Sequence, residues 1–305
     1  MFAYHNVGVQ CLSVLLAHGV DVPLVITHTD NPNENIWFDS VAEVAALNGI
    51  PVITPDDPNV PKVVERVRAA ECDFLFSFYY RHMLKPPLLA LPRRGALNMH
   101  GALLPKYRGR APVNWAVIRG ERETGASLHY MVEKPDAGDL VAQQAVPILP
   151  DDTAHQVFGK VTVAAEMVLD HWLPALIAGT APRHVLDLAQ GRYFGGRRPD
   201  DGRIDWTRPA RAIHDLVRGV APPYPGAFTE IGAHRLRILR THVEAASASA
   251  RQPQLYRDDD QLRASCIDGA VLRIVDFEID GTPADAARFS SIYGDKPLQL
   301  LRESA

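Results

Sequence analysis

The sequence predicts an α/β chain in two parts, a mostly parallel sheet with helices on both faces followed by a small β domain. Three observations carry that expectation. Short apolar runs alternate with helix-patterned stretches through residues 1–100. The runs that read as strands are continuously apolar, as strands covered on both faces are. After Pro225 the helical pattern gives way to short strand-like runs separated by turn residues.

Taken in order, residues 2–4 read as a strand and 9–18 as a helix with Leu12, Leu15 and Leu16 on one face. Residues 22–27 form a second strand pattern. Ser40 and Glu43 have capping-box spacing at the head of a helix over 41–47. A strand at 51–54, a helix at 60–70 and strands at 74–78 and 96–99 complete a Rossmann-like layout. The loop 100–110 is rich in Gly, Pro and basic residues, and Pro112 stands where the first turn of a helix over 113–118 begins. Residues 126–132 and 140–148 read as strands. The longest helical stretch is 153–177, with Thr153 and Gln156 as a second capping box.

Residues 191–205 carry Gly195-Gly196 and Pro199-Asp200-Asp201-Gly202, which is linker chemistry. They place the division between a first domain, 1–200, and a second, 201–305. The second opens with a helix over 208–220. Strand runs at 227–231, 236–239, 262–266 and 270–275 then suggest a small OB-like β-barrel, with 245–250 as an Ala/Ser loop.

Composition excludes several classes. The chain has 305 residues, 47% hydrophobic and 22% charged, which is ordinary globular material and room for two domains. The net charge of −4 counts against a nucleic-acid partner. From residue 203 onward 14 Lys and Arg face 14 Asp and Glu, so that stretch is neutral. Cys11, Cys72 and Cys266 have no metal spacing and fit a reducing compartment. No apolar run approaches a bilayer span, and Met1 leads into Phe2-Ala3-Tyr4 without a basic segment, so a cytoplasmic protein without membrane insertion is expected. There is no G-x-G-x-x-G, no P-loop and no paired spacing among His5, His28, His82, His129 and His155, so the expected site is metal-free.

The densest polar cluster begins at Asn98 and His100, at the C-terminal end of a predicted strand, where open α/β sheets bind ligands. Two apart in an extended segment, the pair points to one side. An amide and an imidazole aimed at one spot can hold a carbonyl oxygen as it becomes an oxyanion. Taken singly, Asn98 is as well a turn residue and His100 a satisfied loop histidine. Asp136 lies in Pro135-Asp136-Ala137-Gly138, which spells a turn equally well. A carboxylate there would orient a nearby imidazole and favour its protonated form.

Several stretches resemble the 10-formyltetrahydrofolate-dependent formyltransferases: FAYH at 2–5, THTDNP at 27–32, FSFYYRH at 76–82, HGALLPKYRGRAP at 100–112, DAGD at 136–139, residues 190–201 and YPGAF at 224–228. The likeness covers nearly the whole chain, and the 100–112 stretch is its most specific part. Within the family, the sequence resembles the formyltransferase domains that act on UDP-4-amino-4-deoxy-L-arabinose in lipid A modification and polymyxin resistance. The resemblance implies Asn98, His100 and Asp136 as catalytic residues. It implies 10-formyltetrahydrofolate as formyl donor, lying against His82, Met83 and Leu84 and against Val132, Glu133, Lys134 and Pro135, with Arg110 nearby. These contacts are expected to be largely through the backbone. It further implies a UDP-linked amino sugar as acceptor and an oxidative decarboxylase supplied by another protein. The alternatives are another sugar nucleotide, methionyl-tRNA, for which the neutral charge of 203–305 is unsuited, and a hydrolase or folate-binding relative. Trp37, in the acidic segment after the second strand, could pack on a sugar or base.

Overall fold

The local signals for helix starts are realised as hydrogen bonds. Ser40 Oγ accepts the Glu43 N–H at 3.3 Å. Thr153 and Gln156 cap each other reciprocally, at 2.9 and 3.2 Å. The computed structural model describes residues 1–244 and 252–301; the predicted 245–250 loop lies outside them. The chain forms two units. One comprises Met1–Pro112, Glu123–Pro147 and Phe158–Gly195, and the other Val113–Arg122, Ile148–Val157 and Gly196–Ala305.

Through the first half of the chain the elements are β1 (Phe2–Ala3), α1 (His5–Ala17), β2 (Val25–Ile26), α2 (Val41–Leu47), β3 (Val52–Ile53), α3 (Pro61–Arg68), β4 (Phe74–Phe78), α4 (Pro86–Leu89) and β5 (Gly95–His100). There follow β6 (Arg108–Gly109), α5 (Pro112–Ile118), β7 (Glu123–Tyr130), β8 (Leu140–Pro147), α6 (Ala154–Ala178) and β9 (Tyr193–Phe194). The main sheet runs β3-β2-β1-β4-β5-β7-β8. Its first five strands are parallel, and β7 and β8 add on antiparallel. This is the Rossmann-like, mostly parallel sheet that the alternating pattern predicts. Chain order reverses between β1 and β4, so loops at the carboxyl ends of β1, β4 and β5 flank a crevice where such sheets take ligands. Phe2, Leu24, Ile26, Val64, Leu75 and Leu88 form an apolar cluster of this unit.

Two expectations change. The first helix starts at His5 rather than at residue 9. Gly8 lies inside it and rests on its neighbours, since a Cβ there would come within 2.9 Å of Val41 Cγ2. The second concerns bilayer span. By length and composition α6, with 25 residues, is long and apolar enough to cross a membrane, although no run was expected to approach that. Its apolar residues Val157, Val161, Ala165, Val168 and Leu169 recur at helical spacing and are buried, whereas Asp170 is exposed. That is the pattern of a core helix.

The second unit adds α7 (Ala210–Val220), β10 (Ala227–Ile231), β11 (His234–Glu244), β12 (Gln254–Asp258), β13 (Gln261–Ser265), β14 (Val271–Ile279), β15 (Thr282–Ala284), α8 (Ala286–Tyr293) and β16 (Leu298–Gln299). Its antiparallel sheet runs β10-β11-β14-β13-β12-β16 and curls around Trp206, Ile213, Leu236, Ile238, Leu262 and Phe289. Several basic residues of this unit meet its own acids: Arg203 and Arg235 share Glu230, Arg237 reaches Glu278, and Arg263 contacts Asp258 and Glu244.

Candidate active site

The site is built where β5 ends. β5 pairs antiparallel with β7, with Asn98 opposite His129 and His100 opposite Ser127. Two side chains on one strand therefore face two on the next, at adjacent same-face positions. Ser127 Oγ donates to the Ala102 carbonyl at 2.5 Å and accepts the Leu104 N–H at 3.1 Å. Gln143 on β8 donates to the Leu104 carbonyl at 2.8 Å. The sheet thus holds the loop that follows His100.

Asp136 is the hub. Its Oδ2 accepts the Gly109 N–H at 2.8 Å. Its Oδ1 lies 3.5 Å from Asn98 Nδ2, 3.6 Å from His100 Nδ1 and 3.5 Å from His129 Nε2. The Asp136 side chain is 14% exposed and that of His100 6%, so these charges act with little solvent screening. Burial pushes the Asp136 carboxyl up. His100, then the hydrogen bond and charge of His129, then the Gly109 amide outweigh it and hold the group well below the usual carboxylate range. Asp136 is therefore an anion at any working pH.

The two imidazoles are oriented by carbonyls. His100 Nε2 lies 2.8 Å from the Tyr107 carbonyl, which only accepts, so Nε2 carries the proton and Nδ1 faces Asp136. His129 Nδ1 donates in the same way to the Tyr130 carbonyl at 2.9 Å. Its Nε2 lies 3.2 Å from Asn98 Nδ2 and 3.5 Å from Asp136 Oδ1, so one ring nitrogen faces both side chains. Backbone strain gathers around these groups: Tyr79, Tyr107, Ala111 and Asp136 have φ of 56°, 53°, 50° and 49°, a region that costs a side chain energy.

The structure thus brings Asn98, His100 and Asp136 together. It adds His129, which the sequence offered only as an unpaired histidine. The signal was its place in an alternating stretch with Ser127, but the register that sets it opposite Asn98 is a tertiary fact.

The residues expected to line a donor site divide into two segments. Arg81 N–H donates to His28 Nε2 at 3.0 Å, and Arg110 donates to the Arg81 carbonyl at 3.1 Å. Asn59 takes the Met83 carbonyl at 3.0 Å and the Lys85 N–H at 2.8 Å. Between these pins His82 and Met83 are exposed, and His82 stacks on His28 at 4.9 Å. Among the described residues no hydrogen bond takes up the N–H of His82 or of Met83. Leu84 is buried in the apolar cluster of β1 and β4, so only its backbone is available. Val132, Glu133 and Lys134 are exposed and Pro135 partly so, on the turn that delivers Asp136. Trp37 packs edge-on against His5 and Phe158 at 4.5 and 5.4 Å, inside an aromatic cluster with Phe38. Among the described residues no group of three or more His, Cys, Asp or Glu could hold a metal ion.

A carboxylate, an amide and two imidazoles thus gather at the carboxyl edge of a Rossmann-like sheet. The formyl transferase family matches residues 10–172, and its C-terminal domain matches residues 197–293. The chain belongs to the formyl transferase family and is a formyltransferase. Among solved structures it is similar to an N-formyltransferase from Helicobacter canadensis in complex with folinic acid and dTDP-3-aminofucose. The identity is 19% over 90% of this chain and 97% of that one, with a TM-score of 0.71. It is also similar to WlaRD, a sugar 3N-formyltransferase crystallised with dTDP and 5-N-formyl-tetrahydrofolate, at 19% identity over 89% and 95% and a TM-score of 0.69. A 4-N formyltransferase from Francisella tularensis aligns at 18% identity over 74% and 90%, with a TM-score of 0.59. At these identities the likeness is one of fold.

Proposed function

We propose that this protein transfers the formyl group of 10-formyltetrahydrofolate to the amine of a nucleotide-linked amino sugar, with UDP-4-amino-4-deoxy-L-arabinose as the acceptor. The observation that carries the reading is the Asp136 carboxylate, with Asn98, His100 and His129 nitrogens 3.5–3.6 Å from one of its oxygens. The donor supplies an electrophilic formyl carbon. It would lie against the open backbone of His82 and Met83 and the exposed turn from Val132 to Pro135, with Arg110 bracing the first of these.

The geometry suits His100 to work through Nδ1, because Nε2–H is tied to Tyr107. At 3.6 Å from Asp136 Oδ1 a proton on Nδ1 is balanced by the carboxylate without being locked in a hydrogen bond. Nδ1 can take the proton that the attacking amine loses and return it to the leaving folate nitrogen. The Asn98–Asp136 hydrogen bond is long, at 3.5 Å, and that N–H can turn to the oxyanion as it forms. His129, with Nε2 3.2 Å from Asn98 Nδ2 and 3.5 Å from Asp136 Oδ1, acts as a positioning residue.

Two findings favour a sugar nucleotide over a tRNA. Arg203, Arg235 and Arg237 are paired with acids of their own unit, which leaves these three poorly placed to neutralise a phosphate backbone. The second is a resemblance: the stretches at 27–32, 76–82 and 100–112 look like those of the UDP-4-amino-4-deoxy-L-arabinose enzymes. The division of labour that follows is a catalytic domain over 1–200 and an accessory domain over 201–305. Tetrahydrofolate release tests the reading. It should require both 10-formyltetrahydrofolate and the amino sugar nucleotide; equal release without any amine would make the protein a hydrolase.

A further inference from the structure

We propose that Arg108 is the receptor for an anionic group of one substrate, a phosphoryl or carboxylate oxygen, beside the formyl-transfer centre. The proposal rests on the functional reading above and names a residue that reading leaves unused.

Arg108 opens β6 and is 7% exposed. Its backbone is fully engaged: the N–H donates to the Arg192 carbonyl at 3.1 Å, and the strand pairs with β9. Its side chain is not. Among the described residues the Arg108 guanidinium has no carboxylate or carbonyl partner, and its buried Nε has no acceptor. A second buried arginine, Arg218, shows how this fold treats a guanidinium that serves structure alone. It is 3% exposed, donates Nε to Asp215 at 2.7 Å and donates Nη1 to the Asp152 carbonyl at 3.0 Å. A cation withdrawn from water without a counter-charge is strongly unfavourable, so native proteins pair such groups or reserve them for a ligand.

The location gives the reservation its meaning. The residue before Arg108 is Tyr107, whose carbonyl fixes His100 Nε2, and the residue after it is Gly109, whose N–H fixes Asp136. An anion drawn onto Arg108 would be bound one residue from both contacts that set the catalytic pair. A guanidinium binds phosphate or carboxylate oxygens through two parallel N–H bonds, which adds direction to attraction. Nucleotide sugars bring a diphosphate and reduced folates bring carboxylates, so the chemistry is shared and the source is a matter for measurement.

The test is calorimetric binding of UDP, of dTDP and of folinic acid to wild type, Arg108→Met and Arg108→Lys, with the melting temperature of each unliganded protein. Methionine keeps much of the volume and removes the charge. Arg108→Met should raise Kd for either the nucleotides or the folate by about tenfold to a hundredfold, the range of a charge-assisted hydrogen bond, and spare the other. The unliganded melting temperature should not fall, since an uncompensated charge has been removed. Arg108→Lys should recover part of the lost affinity. Unchanged Kd values for all probes overturn the proposal. So does a lower melting temperature with both affinities reduced alike, which would mark a structural arginine. Wild-type protein that binds none of the probes contradicts the formyl-transfer reading itself, and Arg108's role falls with it.

Discussion

Asp136 concentrates the residue-scale argument, because its charge is what the neighbouring nitrogens share. Its native pKa lies below the unfolded value, so the stability it contributes is complete above the ordinary carboxylate pKa, about 4, and disappears as the pH falls through its depressed native value. Asp136→Asn should therefore lower the melting temperature at neutral pH, and the gap from wild type should close in acid. A gap that stays constant down to strong acid would contradict an ionised hub. Turnover by the same variant should fall by roughly a hundredfold or more, since the imidazole loses its counter-charge. Of this centre, Asn98 and His100 were legible from their spacing at a strand end. Asp136 was legible only through family likeness, because its motif is also ordinary turn chemistry. His129 was not legible as a partner, since what joins it to Asn98 is a cross-strand register that no local pattern encodes.

At the scale of elements, the β6–β9 ribbon and the 81–85 segment carry most of the positioning. Gly109 has φ +103°, and a Cβ there would sit 2.2 Å from the Phe194 carbonyl oxygen, a backbone atom that cannot step aside. Gly109→Ala should split the ribbon, weaken the amide bond to Asp136 and reduce kcat at least tenfold, about what loss of one positioning hydrogen bond to a charge costs. Unaltered kcat would show that the ribbon does not set Asp136. In the other segment, burial, then His82 and Arg81, lower His28 from 6.5 to about 4. The native ring is neutral and accepts the Arg81 N–H, whereas the unfolded ring takes a proton near its ordinary value. The stability of this contact is full above pH 6.5 and is lost as the pH falls toward 4. Amide exchange at Arg81, corrected for intrinsic rates, should accelerate over that window, and folinic acid should bind more weakly. Flat protection would contradict a neutral His28. Helix starts and buried strands were readable here because capping and apolar runs are local. The strained turns at Tyr79 and Tyr107 were not, since neither residue type advertises a positive φ.

Across the whole molecule, the alternation of strand and helix followed by short strands predicted both folds, and both are present in the order expected. The neutrality of residues 203–305 has a structural counterpart in the pairing of Arg203, Arg235, Arg237 and Arg263 with Glu and Asp side chains of the same unit. Composition could give the balance of charge but not this cross-strand pairing, which decides whether the cations are available to a partner. The helix Ala154–Ala178 shows the reverse limit, because an apolar stretch in sequence does not say whether a bilayer or a protein core receives it. The central claim, formyl transfer to a sugar amine, is tested most directly by mass spectrometry of the acceptor. Purified protein and 10-formyltetrahydrofolate are offered UDP-4-amino-4-deoxy-L-arabinose and charged initiator tRNA in the same reaction, with His100→Ala as control. The account predicts a single formyl increment on the amino sugar nucleotide, absent with His100→Ala. A formyl increment on the aminoacyl-tRNA alone, or an undiminished sugar product from His100→Ala, would contradict it.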